Sequence, residues 1–278
     1  MQRTVAMYNV LVAVDRETDR AARQARYVER LASDGAEITA TVLYVVSPET
    51  FGRAEDVAFS EVDAAVDAAR SLEEAGVPVD RIVGDGGVPQ QIVRTAEELD
   101  VDEIVMGGHK RTGVTQVLLG SVVHDVVLSA ERPVTVAGGS VSFGRDRRTV
   151  LVPVDRDADR ALDQASYVAN LPNAGERVDA VVLYVFPHQD YAGAPPHEFG
   201  EVEAAVAVAD YLDGRGVSVD RLAPGGEVVR TILDTAEEHD VDGIVMGGRK
   251  RSGVQKVILG STSLDAMLSA ERPVTIVG

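Results

Sequence analysis

Residues 104–121 read IVMGGHKRTGVTQVLLGS, and residues 244–261 read IVMGGRKRSGVQKVILGS. In each copy a short apolar run ends in a glycine pair. A basic, glycine-containing loop follows, then a further glycine before a serine. The pattern predicts a buried strand, a loop suited to an anion and a helix start. The glycines admit backbone conformations and close approaches that a Cβ would block. Ser121 and Ser261 fit N-caps, leaving helix N–H groups able to hold an anion.

The repetition extends far beyond this stretch. Residues 10–138 align with 150–278 at a constant offset of 140, without a gap, and roughly half of the pairs are identical. LVAVDRETDRA answers LVPVDRDADRA, and SAERPVTVAG answers SAERPVTIVG. Two copies, each with its own core pattern, make two homologous domains rather than a solenoid. The expected division is 1–138, a linker at 139–148 (polar and Gly-rich), and 149–278.

Within each half, strands and helices alternate. In the first, strands are predicted at Val10–Val14, Ile38–Val46, Val79–Val83, Glu103–Met106 and Pro133–Ala137. Helices are predicted at Asp19–Leu31, around Val62–Leu72 with a stop at Gly76, at Pro89–Leu99, and at Ser121–Ala130. Apolar strands separated by amphipathic helices mean a parallel sheet covered on both faces. The fold class is therefore α/β, with two doubly wound, five-stranded parallel-sheet domains.

The chain has 278 residues, no cysteine and a formal charge of −18. Without Cys, disulfides and thiolate metal sites are excluded. Nucleic-acid binding is disfavoured, because a duplex would need a basic face. Lys110, Lys250 and Lys256 are the only lysines, and the acid excess reads as an acidic, halophilic proteome in which carboxylates keep the surface hydrated. No apolar run approaches the ~20 residues needed to span a bilayer. No long apolar signal core follows the start, so the expected location is cytoplasmic, without membrane partners.

The doubled segment resembles the signature of the universal stress protein (UspA-like) family: Gly, two residues, Gly, nine residues, Gly, then Ser or Thr. Gly107, Gly120 and Ser121 fill these places in the first copy, and Gly247, Gly260 and Ser261 in the second. The second glycine place holds Lys110 and Lys250. The resemblance covers both halves and implies a tandem, pseudo-twofold form with strand order 3-2-1-4-5 in each. Strands one and four are then neighbours at a topological switch point, where ligands of open α/β sheets sit. Asp15 and Gly107, and likewise Asp155 and Gly247, would face one crevice. The resemblance also implies that the fifth strands of the halves pair, with a homodimer as a further level.

What the family implies for function is a stress-response regulator that binds an adenine nucleotide, ATP, with Mg2+ as a companion ion and no structural metal. Carried over by motif, the first pocket is Ala13, Asp15, Val45, Met106, Gly107, His109, Lys110, Gly120, Ser121 and Val122. The second is Pro153, Asp155, Val185, Met246, Gly247, Arg249, Lys250, Gly260, Ser261 and Thr262. Asp15 and Asp155 either accept hydrogen bonds from the nucleoside or order the following loop. Lys110 and Lys250 either occlude the backbone's approach to phosphate or reach it as point charges. The alternative function is a member that binds no nucleotide and acts through protein contacts, its glycine loop blocked by these lysines.

Other motifs fail. Gly108 to Gly113 has Walker A spacing, but Val114 stands where Lys is required. The five histidines show no repeated ligand spacing. No general base or dedicated magnesium ligand stands out in both halves, so catalysis is not expected, with slow ATP hydrolysis the last-ranked alternative. The loops Ser47–Ser60 and Pro187–Gly200 differ most between halves; the second reads either as a lid or as a plain surface loop.

Overall fold

The computed structural model describes residues 7–33, 35–48, 53–110, 117–118, 120–138, 146–187, 197–251, 254–258 and 260–278. The first half runs β1 (Tyr8–Val14), α1 (Thr18–Ala32), β2 (Ile38–Val46), α2 (Asp63–Glu74), β3 (Val79–Asp85), α3 (Val88–Glu98) and β4 (Glu103–Met106). A short pair, β5 (His109–Lys110) and β6 (Val117–Leu118), then leads to α4 (Ser121–Ser129) and β7 (Val134–Val136). The second half runs β8 (Arg148–Pro153), α5 (Ala158–Asn170), α6 (Ala174–Arg177), β9 (Val178–Leu183), α7 (Glu203–Asp213), β10 (Ser218–Leu222), α8 (Val228–Glu238) and β11 (Gly243–Gly247). It closes with β12 (Arg249–Arg251), β13 (Val254–Ile258), α9 (Ser261–Ser269) and β14 (Val274–Val277).

Ten strands form one sheet in the order β10-β9-β8-β11-β14-β7-β4-β1-β2-β3. Pairing is parallel within each half. It is antiparallel only where β14 meets β7, with Thr275 opposite Thr135. Each of these strands thereby covers an apolar edge that would otherwise offer unpaired backbone groups to another chain.

Helices cover both faces, as continuous apolar strands require. α1, α2, α5 and α7 pack one core layer, through residues such as Ala25, Val28, Ala65, Leu72, Ala165 and Leu212. α3, α4, α8 and α9 pack the other, through Ile92, Val126, Ile232 and Met267. Pro89 opens α3 in its first turn, where its missing N–H has no intrahelical partner to lose. Past α2, Gly76 takes φ +83°, and Val77 N–H returns to Leu72 O at 2.9 Å, so the glycine ends the helix in the left-handed region.

Three features differ from the expected pattern. Between β4 and α4, β5 pairs antiparallel with β6, and β12 pairs antiparallel with β13 at the equivalent place, where a plain loop was expected. Ser121 and Ser261 are not N-caps: Gly120 (φ −65°, ψ 152°) and Gly260 (φ −69°, ψ 156°) hold the cap position without a side-chain bond. Each serine is instead the first helical residue, as the expected helix bounds have it, with the preceding glycine at the cap. Finally, Arg148, at the end of the expected linker, already begins β8. Residues 139–145 of that linker, 49–52 of the first variable loop and 188–196 of the second lie outside the described residues.

A buried polar cluster sits where the halves meet. Tyr8 Oη donates to Glu103 Oε2 at 2.9 Å, and Tyr27 Oη donates to Glu103 Oε1 at 2.8 Å. Thr135 Oγ1 also donates to Glu103, and lies 2.6 Å from Thr275 Oγ1 of the other half. Burial pushes the Glu103 carboxyl above its ordinary value, against the opposing effect of these donors.

Candidate functional site

β1 pairs with β4 in parallel register, Ala13 beside Met106, yet the crossovers that leave them lie on opposite faces. The chain therefore parts at the carboxyl ends of these strands and leaves a crevice. It measures about 530 Å³, and its lining includes Ala13, Asp15, Val45, Met106, Gly107, Gly120, Ser121 and Val122. The second half has an equivalent crevice of about 320 Å³, whose lining includes Pro153, Asp155, Val185, Met246, Gly247, Gly260, Ser261 and Thr262. In each half, eight of the ten motif-derived positions thus border one cavity. The side chains of His109, Lys110, Arg249 and Lys250 lie outside the described residues.

Each wall has a local cause. The first intrahelical acceptors, Gly120 O and Gly260 O, bond His124 N–H at 3.1 Å and Leu264 N–H at 2.9 Å. With no side chain capping α4 or α9, the N–H groups ahead of these are left for water or an anion at the crevice. The opposite wall is apolar: Val45 and Met106 are buried, as are Val185 and Met246.

A glutamine braces each crevice from below. Gln24 Nε2 donates to Ala13 O at 2.7 Å and to Val105 O at 3.0 Å. Gln164 Nε2 donates to Pro153 O and to Val245 O, both at 2.8 Å. Each amide therefore ties the end of the first strand to the end of the fourth, at the point where their backbones separate.

The aspartates are already engaged. Asp15 Oδ1 accepts from Glu17 N–H at 2.9 Å, and Asp155 Oδ1 accepts from Asp157 N–H at 2.9 Å. Their other oxygens pair with Arg20 Nη1 and Arg160 Nη1. The arginine side chains are only 13% and 17% exposed, while the aspartates are half exposed, so the cations sit within the crevices and not on the rim. A Cβ on Gly107 would collide with Arg20 Cγ, and one on Gly247 with Arg160 Cγ. The first glycine of each signature is thus the surface across which an arginine stem lies. In the second crevice Arg160 Nη2 also donates to Asp157 Oδ2 at 2.6 Å. Hydrogen bonds from the Arg160 backbone and side chain hold the Asp157 carboxyl below the usual range.

The motif search did not single out Arg20, Arg160, Gln24 or Gln164. A signal was present: Asp and Arg recur five residues apart, with Gln four further on, at the same offset in both halves. A polar Gln on an otherwise apolar helix face marks a buried amide with fixed partners.

The family's sequence profile matches residues 7–138 and again 146–278, described as the Universal stress protein family. The chain belongs to that family, as a tandem of two such domains. Its structure is similar to the crystal structure of a universal stress protein from Archaeoglobus fulgidus, at 23% identity over 97% of each chain with a TM-score of 0.69, a likeness that speaks to fold. In sequence, it is 39% identical to a universal stress protein of Methanocaldococcus jannaschii over 67 residues, 24% of this chain. The match spans 41% of that relative's length. Among the described residues, no helix is long and apolar enough to cross a membrane.

Proposed function

We propose that the chain is a stress-response regulator that binds an adenine nucleotide, ATP, in its switch-point crevices. The observation that carries this reading is the shared border of the strand-one aspartate, the signature glycines and an uncapped helix start on one cavity, repeated in both halves. Both volumes fall in the range of small-molecule sites, roughly 300–1,000 Å³. An apolar wall with a few convergent polar groups is the usual composition of such sites.

Energetics demand more than the helix start. A helix N-terminus contributes ~0.3–2 kcal/mol to a bound anion. Micromolar affinity needs about 8 kcal/mol. The remainder falls to the aspartate, the backbone of the glycine signature, the apolar wall and the cations. A magnesium ion would arrive on the nucleotide's phosphates, with the Ser121 and Ser261 hydroxyls as chain oxygens at that end. Among the described residues, no cluster of three His, Asp or Glu could hold a metal unaided. Binding without turnover is the reading favoured, because the sequence repeats no general base or dedicated magnesium ligand in both halves.

A second reading, regulation through protein contacts without nucleotide, is favoured by one observation: both aspartates are already paired with arginine across the first signature glycine. The test separates the two. Protein purified without added nucleotide is denatured, and the supernatant is examined by mass spectrometry. ATP titration then follows in buffered KCl, with Lys110→Gly and Lys250→Gly alongside. Saturable ATP binding by the unsubstituted chain is expected. Its absence there, with binding gained in the glycine variants, would mean that the lysines block the site and would favour the second reading.

A further inference from the structure

Each glutamine brace leaves an oxygen over. Gln24 is fully buried, and its amide nitrogen donates to Ala13 O and to Val105 O. The amide cannot be turned over, because its carbonyl oxygen would then face two other carbonyl oxygens. Gln24 Oε1 is therefore fixed as an acceptor, and among the described residues no donor reaches it. A buried acceptor without a donor is uncommon in a native fold and asks for an explanation.

The position of this oxygen supplies one. It lies 3.2 Å from where a Cβ on Gly107 would stand, and Gly107 borders the first cavity. The second half repeats the arrangement. Gln164 Nε2 is held by Pro153 O and Val245 O, and Gln164 Oε1 lies 3.2 Å from the equivalent point on Gly247. Gln164, though only 2% exposed, itself borders the second cavity. The first signature glycine thus leaves an approach to each amide oxygen, shared with the stem of Arg20 or Arg160, which a ligand must push aside.

The walls indicate which part of a nucleotide meets the oxygen. Val185, Ile232 and Met246 belong to the core layer on the face opposite α5, and they give the second crevice an apolar side suited to the plane of a base. The uncapped start of α9 suits phosphate. Between base and phosphate a nucleotide carries its pentose, whose vicinal hydroxyls are hydrogen-bond donors. The α5 side meets them with an acceptor, Gln164 Oε1, and the Asp155 carboxylate borders the same cavity.

Resting on the nucleotide reading above, we propose that Gln24 and Gln164 are specificity residues, each accepting a hydrogen bond at Oε1 from a ribose hydroxyl of the bound nucleotide. The same amide joins two strands through its nitrogen and reads the sugar through its oxygen. A sugar lacking that hydroxyl leaves the acceptor unpaired inside the site, and sites built on such a bond discriminate against the analogue that lacks it.

The test uses the full chain and three nucleotides: ATP, 2′-deoxy-ATP and 3′-deoxy-ATP. Calorimetry measures each on the unsubstituted chain, on Gln24→Leu and Gln164→Leu, and on the double variant. The unsubstituted chain should bind ATP about tenfold more tightly than at least one deoxy analogue, the scale of one net hydrogen bond. In the double variant that preference should fall to about one, because leucine offers no acceptor. A glutamine that only braces the strands would weaken all three nucleotides alike and leave the ratio unchanged. Where circular dichroism shows a leucine variant unfolded, Gln→Met at the same position takes its place, with an unbranched stem and no amide. Equal affinity for the three nucleotides in the unsubstituted chain overturns the inference, and so does a preference that survives in the double variant. In both cases ATP still binds, so the nucleotide reading stands. No ATP binding by the unsubstituted chain overturns that reading, and this inference with it.

Discussion

Tyr27 Oη and Glu103 Oε1 lie 2.8 Å apart, both residues buried, at the seam between the halves. The repeat places Gly243 opposite Glu103 and Arg148 opposite Tyr8, so the second half does not reproduce the cluster. Removing the carboxyl would orphan up to three hydroxyl donors, from Tyr8, Tyr27 and Thr135. Glu103→Ala should destabilise the chain by roughly 2–5 kcal/mol, combining lost packing with unsatisfied buried donors. Urea denaturation measures this, and a loss below 1 kcal/mol would contradict the assigned role.

The same carboxyl makes a prediction about pH. Burial raises its folded-state pKa above the ordinary 4.5. Between those two values the folded protein holds a proton that the unfolded chain has released. The contribution of Glu103 is therefore fully present below the unfolded value and is lost as pH rises through the folded one. Glu103→Gln removes this titration. The stability difference, unsubstituted chain minus variant, should decline as pH is raised from 4.5. A difference that is flat or rises with pH would contradict it.

Gln164 ties Pro153 O to Val245 O, bridging the two strands whose separation opens the crevice. Gln164→Leu should cost roughly 1–3 kcal/mol, because two buried carbonyls lose their donor. Gln164→Glu should cost more, since an ionised carboxylate would face those carbonyl oxygens. Thermal melts of both variants check the order, and equal stabilities would refute the bridge.

Gly107 lacks a Cβ where Arg20 crosses it, and its φ is not in the left-handed region. Gly107→Ala should therefore fold, with a loss of no more than about 1 kcal/mol, while displacing Arg20 from Asp15. Gly76, by contrast, has open space around it but φ +83°. Gly76→Ala should cost about 1 kcal/mol or more through backbone strain alone. Denaturation curves measure both, and a crystal structure of Gly107→Ala with the Asp15–Arg20 pair intact would show that the crowding is relieved elsewhere.

The formal charge of −18 predicts a salt response. Raising KCl shortens the Debye length from ~10 Å at 0.1 M to ~3 Å at 1 M, which weakens repulsion among exposed carboxylates. The unfolding midpoint should rise over that range. A falling midpoint would mean that the surface ion pairs outweigh the repulsion.

Much of the architecture was legible in the order of residues. A gapless repeat at offset 140 exposes two homologous units, and apolar strands alternating with amphipathic helices require a covered parallel sheet. β2 and β4 lie where their mostly apolar runs place them, β4 opening on the buried Glu103. The β5–β6 and β12–β13 pairings were not legible, since basic and glycine-rich segments carry little strand propensity. Nor was the cap at Gly120, because a serine beside a helix start reads as the cap by its side-chain chemistry.

Periodicity and repetition are local properties, carried by each residue's own chemistry, and so the units, their strands and the glycine signature could be read without coordinates. Which side chains meet across the switch point is a property of packing. Arg20 and Gly107 are 87 positions apart, and Arg160 and Gly247 are equally distant. Only the path of α1 and α5 over the sheet brings each arginine across its glycine and onto its aspartate. Likewise Glu103 became a seam residue because β7 and β14 pair antiparallel and draw Thr135 and Thr275 together. Contacts of this kind depend on the summed burial of the whole core, which no single stretch of chain encodes.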